Sequence, residues 1–213
     1  METNDFTTRL RRDRLVAIVR GRDAEASLRT VLTLAEEGIG LIEVSLNTAD
    51  ALTVISRAAS AVDSSIAIGA GTVVTADDAR RAQEAGATWI VTPALGGGFE
   101  DAVARHLPVL AGALTPSEAV AVSTGGASAV KLFPASLGGP AYLRALRDPF
   151  PDLPFVPVGG VDARVAAEYF AAGAVAVGVG SPLAGDAPHG GDLADLRKRA
   201  KNFVNVCRTG ARL

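Results

Sequence analysis

The chain has 213 residues, 48% of them apolar but only 5% aromatic, which fits one domain whose core is built mainly from Ala, Val, Leu and Ile. A formal net charge of −2, with Lys and Arg scattered along the chain, excludes the basic footprint of a nucleic-acid partner. Cys207 is the only cysteine and His106 and His189 the only histidines, which excludes an intrachain disulfide and leaves little material for a metal site or a Ser-His-Asp triad.

In chain order, residues 1–14 are polar and charged, without the apolar stretch of a signal peptide, and residues 5–14 read as a lead-in helix. A strand at 15–20 ends on Arg20, and good helix formers over 24–37 stop at Gly38. Further strands follow at 41–46, 66–72, 88–92, 108–113, 129–133, 155–158 and 175–179. Helices fall between them at 49–62, 76–85, 99–106, 117–123, 142–147 and 164–172. A Gly- and Pro-rich loop over 185–191 leads to a charged helix at 192–208, a solvated covering face without a catalytic role. The longest apolar run, around 171–179, is too short to span a bilayer, so a cytoplasmic location without a membrane partner is expected.

Strands separated by helices need crossover connections, which favour a parallel sheet covered by helices. Eight strand–helix units in one domain predict an α/β fold, a single-domain (β/α)8 TIM barrel with a core at about 15–183. An open doubly wound sheet is the alternative fold. Gly38, Gly86, Gly126 and Gly173 each end a helix just before a strand, which fits either repeated double units or ordinary glycine capping.

In such a barrel the functional groups sit where strands end and the following loops begin. Lys131 lies in a short apolar strand, on one face with Ala129 and Phe133 and opposite Val130 and Leu132. Glu43 alternates in the same way with Ile42 and Val44, so both charges point inward if those neighbours pack on the helices. An amine with a depressed pKa beside a carboxylate supplies a nucleophile and a proton shuttle. A structural salt bridge is the other reading of the same pair. Gly159-Gly160 and Gly180-Ser181 occupy the last two strand–helix loops, where backbone N–H groups and the Ser181 hydroxyl suit a phosphate.

The segments Ile42-Glu43-Val44-Ser45-Leu46, Ile68-Gly69-Ala70-Gly71-Thr72-Val73, Ile90-Val91-Thr92-Pro93, Lys131-Leu132-Phe133-Pro134 and Val158-Gly159-Gly160-Val161 carry a specific likeness. In this order the chain resembles the KDPG/KHG aldolase family. The resemblance implies a homotrimer of (β/α)8 barrels without metal or organic cofactor. It also implies a class I aldolase cleaving a 2-keto-3-deoxy-6-phospho sugar acid to pyruvate and glyceraldehyde 3-phosphate. It carries over Lys131 as the Schiff-base lysine and Glu43 as the general acid/base. Arg20 and Thr72 match positions that hold the pyruvyl carboxylate, and Pro93 and Phe133 match pocket-lining positions. Gly159, Gly160 and Ser181 match the phosphate loops, and Thr115 sits near the carbonyl end by analogy.

Two positions depart from the gluconate-type pattern: Asn47 stands where many such members carry arginine, and Val158 where they typically have threonine. Both look like galactonate-type relatives, so the C4 configuration of the substrate stays open. Two readings compete with the aldolase: a phosphate-binding barrel isomerase or synthase that uses Glu43 without a covalent intermediate, and a non-catalytic barrel in which Lys131 and Glu43 pair with each other in a closed cavity.

Overall fold

The first seven strands pair in parallel, each with the next in sequence, and the first strand also pairs with the eighth. A computed structural model describes residues 1–209, and among them the strands are β1 (Leu15–Val19), β2 (Leu41–Ser45), β3 (Ala67–Gly71), β4 (Ile90–Thr92), β5 (Val109–Ala113), β6 (Ala129–Leu132), β7 (Phe155–Pro157) and β8 (Val177–Val179). The sheet order is β7-β6-β5-β4-β3-β2-β1-β8. The remaining seam, between β7 and β8, is closed by the single bridge Val158↔Gly178 and by the Val175 N–H, which donates to the Phe155 carbonyl at 3.0 Å. This nearly closed barrel excludes the open doubly wound sheet.

The helices are α1 (Thr3–Asp13), α2 (Ala24–Glu36), α3 (Ala51–Ala61), α4 (Ala76–Glu84), α5 (Gly97–Ala104), α6 (Pro116–Thr124), α7 (Gly139–Arg147), α8 (Ala163–Ala171), α9 (Ser181–Ala184) and α10 (Leu193–Thr209). Strand residues alternate between two apolar layers. Ala17, Ile42, Val44, Ile68 and Val130 pack outward against the helices, while Val16, Leu41, Ala67, Leu110, Ala129 and Val156 fill the barrel interior. α9 and a one-turn 3-10 helix at Ala187–His189 were not foreseen, because such short turns carry no periodic apolar pattern. The Arg199 guanidinium on α10 holds α9 in place by donating to the carbonyls of Leu183 (2.8 Å) and Ala184 (3.0 Å).

The lead-in helix does more than its charged sequence suggests. Phe6 and Leu10 of α1, one turn apart, are fully buried in the inner layer beside Leu41, Ala67 and Ala129, the first residues of their strands. α1 therefore plugs the N-terminal mouth of the barrel and leaves the opposite mouth for chemistry. The Phe6 and Trp89 rings lie 5.1 Å apart at 33°, and the Trp89 indole N–H donates to the Ala67 carbonyl at 3.2 Å. Truncating a buried Phe removes its transfer free energy and leaves a cavity. Phe6→Ala is expected to lower unfolding stability by about 3–5 kcal/mol, seen as a lower urea midpoint followed by the fluorescence of Trp89, the only tryptophan.

Candidate active site

Parallel pairing stacks the inward side chains in layers. On β2 the layers are Leu41, Glu43 and Ser45, and on β6 they are Ala129, Lys131 and then Phe133 just beyond the strand. The lowest layer is apolar and sealed by α1; the middle one holds both charges. Glu43 is 2% exposed and Lys131 6%. Gly71 makes room for the carboxylate, since a Cβ there would come within 1.6 Å of Glu43 Oε1. Across the barrel Gly112 pairs with Lys131 in register, and the Pro93 carbonyl packs where a Cβ of Gly112 would stand.

Burial governs the electrostatics of both groups. Desolvation pushes the Lys131 pKa down from the usual lysine value; Glu43 opposes the shift and the Arg20 cation adds to it. Desolvation pushes the Glu43 pKa up, with Lys131 and then Arg20 pulling the other way. Among the described residues no hydrogen bond or ion pair within 4.0 Å joins the two, and Glu43 Oε2 has no partner at all. The self-paired arrangement of a purely structural salt bridge is therefore not what the barrel contains. Lys131 Nζ instead lies 5.0 Å from the centroid of the Phe133 ring.

Above this layer a cleft of about 450 Å³ opens at the C-terminal mouth. Arg20, Phe133, Gly159, Gly160 and Ser181 line it, joined by Asn47 and Val158. Gly159 and Gly160 adopt φ of +94° and +78°, a backbone region open to glycine, and they are anchored to the chain beyond β6. The N–H groups of Ala135 and Ser136 donate to the carbonyls of Val158 (2.9 Å) and Gly159 (3.0 Å). Glu43 and Lys131 are not in the cleft wall; Arg20, whose charge acts on both, and Phe133, whose ring lies beside Lys131 Nζ, connect them to it.

Thr72 holds a left-handed backbone, φ +62°, which is strained for a β-branched residue and turns its side chain from the direction strand alternation would give. Its hydroxyl lies 3.0 Å from that of Ser45, which also accepts a 3.4 Å contact from the Asn47 N–H. Ser45 was missed as a site residue, although strand alternation from Glu43 already places its hydroxyl on the inner face. Arg22 and His189 also line the cleft, and no local motif marked them. Thr115, like Thr72 and Pro93, is not among the residues that line the cleft. It is the N-cap of α6, where its hydroxyl accepts from the Glu118 N–H and bonds Glu118 Oε2 at 2.9 Å in a capping box.

Among the described residues no three His, Cys, Asp or Glu side chains gather into a metal site, and no helix is long and apolar enough to cross a membrane. Residues 6–198 match the family model described as KDPG and KHG aldolase. The chain belongs to that family. It is 36% identical over 192 residues to a probable 2-dehydro-3-deoxy-6-phosphogalactonate aldolase of Rhizobium meliloti, spanning 87% of each chain. It is 38% identical over 156 residues to the 2-dehydro-3-deoxy-phosphogluconate aldolase of Pseudomonas aeruginosa, 70% of this chain and 69% of that one. A solved native KDPGal structure superposes with a TM-score of 0.86 at 30% identity, covering 93% of this chain and 96% of the other. Family membership makes the chain an aldolase, a carbon–carbon lyase, built on the (β/α)8 barrel.

A lowered lysine pKa means that the folded protein holds the cation less readily than the unfolded chain, so the group opposes folding. That cost is complete below the lowered folded value and vanishes above the ordinary value of 10.5. Glu43, raised from 4.5, adds a cost that is absent at low pH and present once pH exceeds its raised value. Replacing both charges by neutral side chains of similar shape, Lys131→Met with Glu43→Gln, is expected to stabilise the protein by about 1–4 kcal/mol at pH 7, measured by urea denaturation.

Proposed function

We propose that the chain is a class I aldolase that cleaves a 2-keto-3-deoxy-6-phospho sugar acid to pyruvate and glyceraldehyde 3-phosphate, with Lys131 as the covalent nucleophile and Glu43 as the proton shuttle. The observation that carries this reading is the desolvated Lys131 amine, free of any ion pair among the described residues, in the same barrel layer as a carboxylate with one unpartnered oxygen.

The neutral Lys131 amine attacks the C2 ketone to give a carbinolamine, and loss of water gives an iminium. Glu43, protonated more readily than an ordinary carboxyl, delivers and removes these protons. Removal of the proton from the C4 hydroxyl breaks the C3–C4 bond, and the electron pair passes into the iminium to leave an enamine. The aldehyde departs, and protonation of C3 followed by hydrolysis releases pyruvate and the free lysine. Arg20 and the Ser45–Thr72 hydroxyl pair receive the substrate carboxylate. Gly159, Gly160 and Ser181 receive the phosphate, and Pro93 and Phe133 wall the pyruvyl end. The catalyst is one barrel domain over the whole chain, assembled as a homotrimer in the cytoplasm.

Val158 lines the cleft with an apolar side chain and offers no hydrogen bond to a C4 hydroxyl. The enzyme therefore lacks a gluconate-type preference and takes the galactonate-type epimer at least as well. Pyruvate release from both epimers tests the whole reading. Lys131→Arg is expected to lose nearly all turnover and Glu43→Gln about 10²–10⁴ of kcat, while Val158→Thr shifts the kcat/KM ratio towards the gluconate epimer. Turnover retained by Lys131→Arg would favour a reaction without a covalent intermediate.

A further inference from the structure

The segment between α9 and α10 is fastened to the loop after β1, and the fastening carries His189 to the cleft. The buried Ser27 hydroxyl on α2 donates to the Pro188 carbonyl at 3.3 Å. Gly21 permits the close approach, because a Cβ there would lie 2.2 Å from that same oxygen. Ala187 and Pro188 are buried beneath, and the backbone N–H of Arg22 donates to His189 Nδ1 at 3.2 Å. An Nδ1 that accepts a hydrogen bond leaves the ring proton of a neutral imidazole on Nε2. His189 thus reaches the cleft wall with its orientation set and one N–H donor still available, on the wall that also includes Gly159, Gly160 and Ser181. The nearest carboxylate in sequence, that of Asp186, folds over Gly191 within its own turn.

Resting on the aldolase reading above, we propose that His189 is a specificity-determining residue that donates its Nε2–H to the substrate phosphate. The glycine amides and Ser181 surround an anion from the β7 and β8 side; His189 closes the site from the β1 side. Because the ring is already held by Arg22 and by the anchored Pro188, little side-chain freedom remains to be lost on binding. A donor to a phosphate oxygen is a charge-assisted hydrogen bond, so it separates phosphorylated from unphosphorylated substrates more than it changes the bond-breaking step.

The test runs in the condensation direction, with pyruvate and either glyceraldehyde 3-phosphate or glyceraldehyde. His189→Ala is expected to reduce the ratio of kcat/KM for the phosphorylated over the unphosphorylated aldehyde about tenfold, as for the loss of one charge-assisted hydrogen bond. The change is expected in KM for the phosphorylated aldehyde. His189→Gln, whose amide offers both an acceptor to Arg22 and a donor to phosphate, is expected to restore most of the ratio. An unchanged ratio in His189→Ala, whether both rates hold or fall together, overturns the proposal, as does a Gln variant no better than Ala. Wild-type protein that condenses pyruvate with neither aldehyde is a separate result, which overturns the aldolase reading and this inference with it.

Discussion

Two opposite charges buried in one barrel layer without touching are the constraint on which the rest of the structure depends. A bonded pair would neutralise itself, and a solvated pair would have ordinary pKa values. Here Gly71 admits the Glu43 carboxylate and Gly112 lies beside Lys131, while the sheet geometry keeps the two side chains on separate strands. The plug formed by Phe6, Leu10 and Trp89 seals the mouth beneath them, and the amine lies beside Phe133, which lines the cleft above. What opposes folding, a desolvated lysine and a carboxylate with a free oxygen, is what the proposed chemistry uses, since burial favours the neutral amine, the form that attacks a carbonyl.

The same physics explains which parts of this design are legible in the sequence. The barrel could be read because its signals are local: apolar runs of strand length, helix formers between them, and glycines such as Gly38 and Gly86, which adopt the left-handed conformation at helix ends. Lys131 and Glu43 could be read because strand alternation fixes a facing direction and a charge on an apolar face is conspicuous. Thr115 is ambiguous for the opposite reason. A threonine just beyond a strand is equally a helix N-cap, and its Glu118 partner three residues on makes it one.

The features that escaped sequence reading are tertiary. The plugging role of α1 depends on which end of the barrel it meets, a matter no local pattern encodes. Ser45 was within reach of the alternation argument, but its partner Thr72 is aimed by an unusual backbone angle that the sequence does not announce. His189 sits in a stretch of Gly and Pro that reads only as loop, and its place in the cleft follows from its own bond to Arg22 and the bond of its neighbour Pro188 to Ser27, each across more than 160 positions.

The proposed chemistry requires Lys131 to act as a covalent nucleophile. Borohydride reduction of the protein in the presence of pyruvate, followed by peptide mass mapping, tests this most directly. An irreversible mass gain, dependent on pyruvate and confined to the peptide that contains Lys131, is expected. No adduct, or one on another residue, would contradict it.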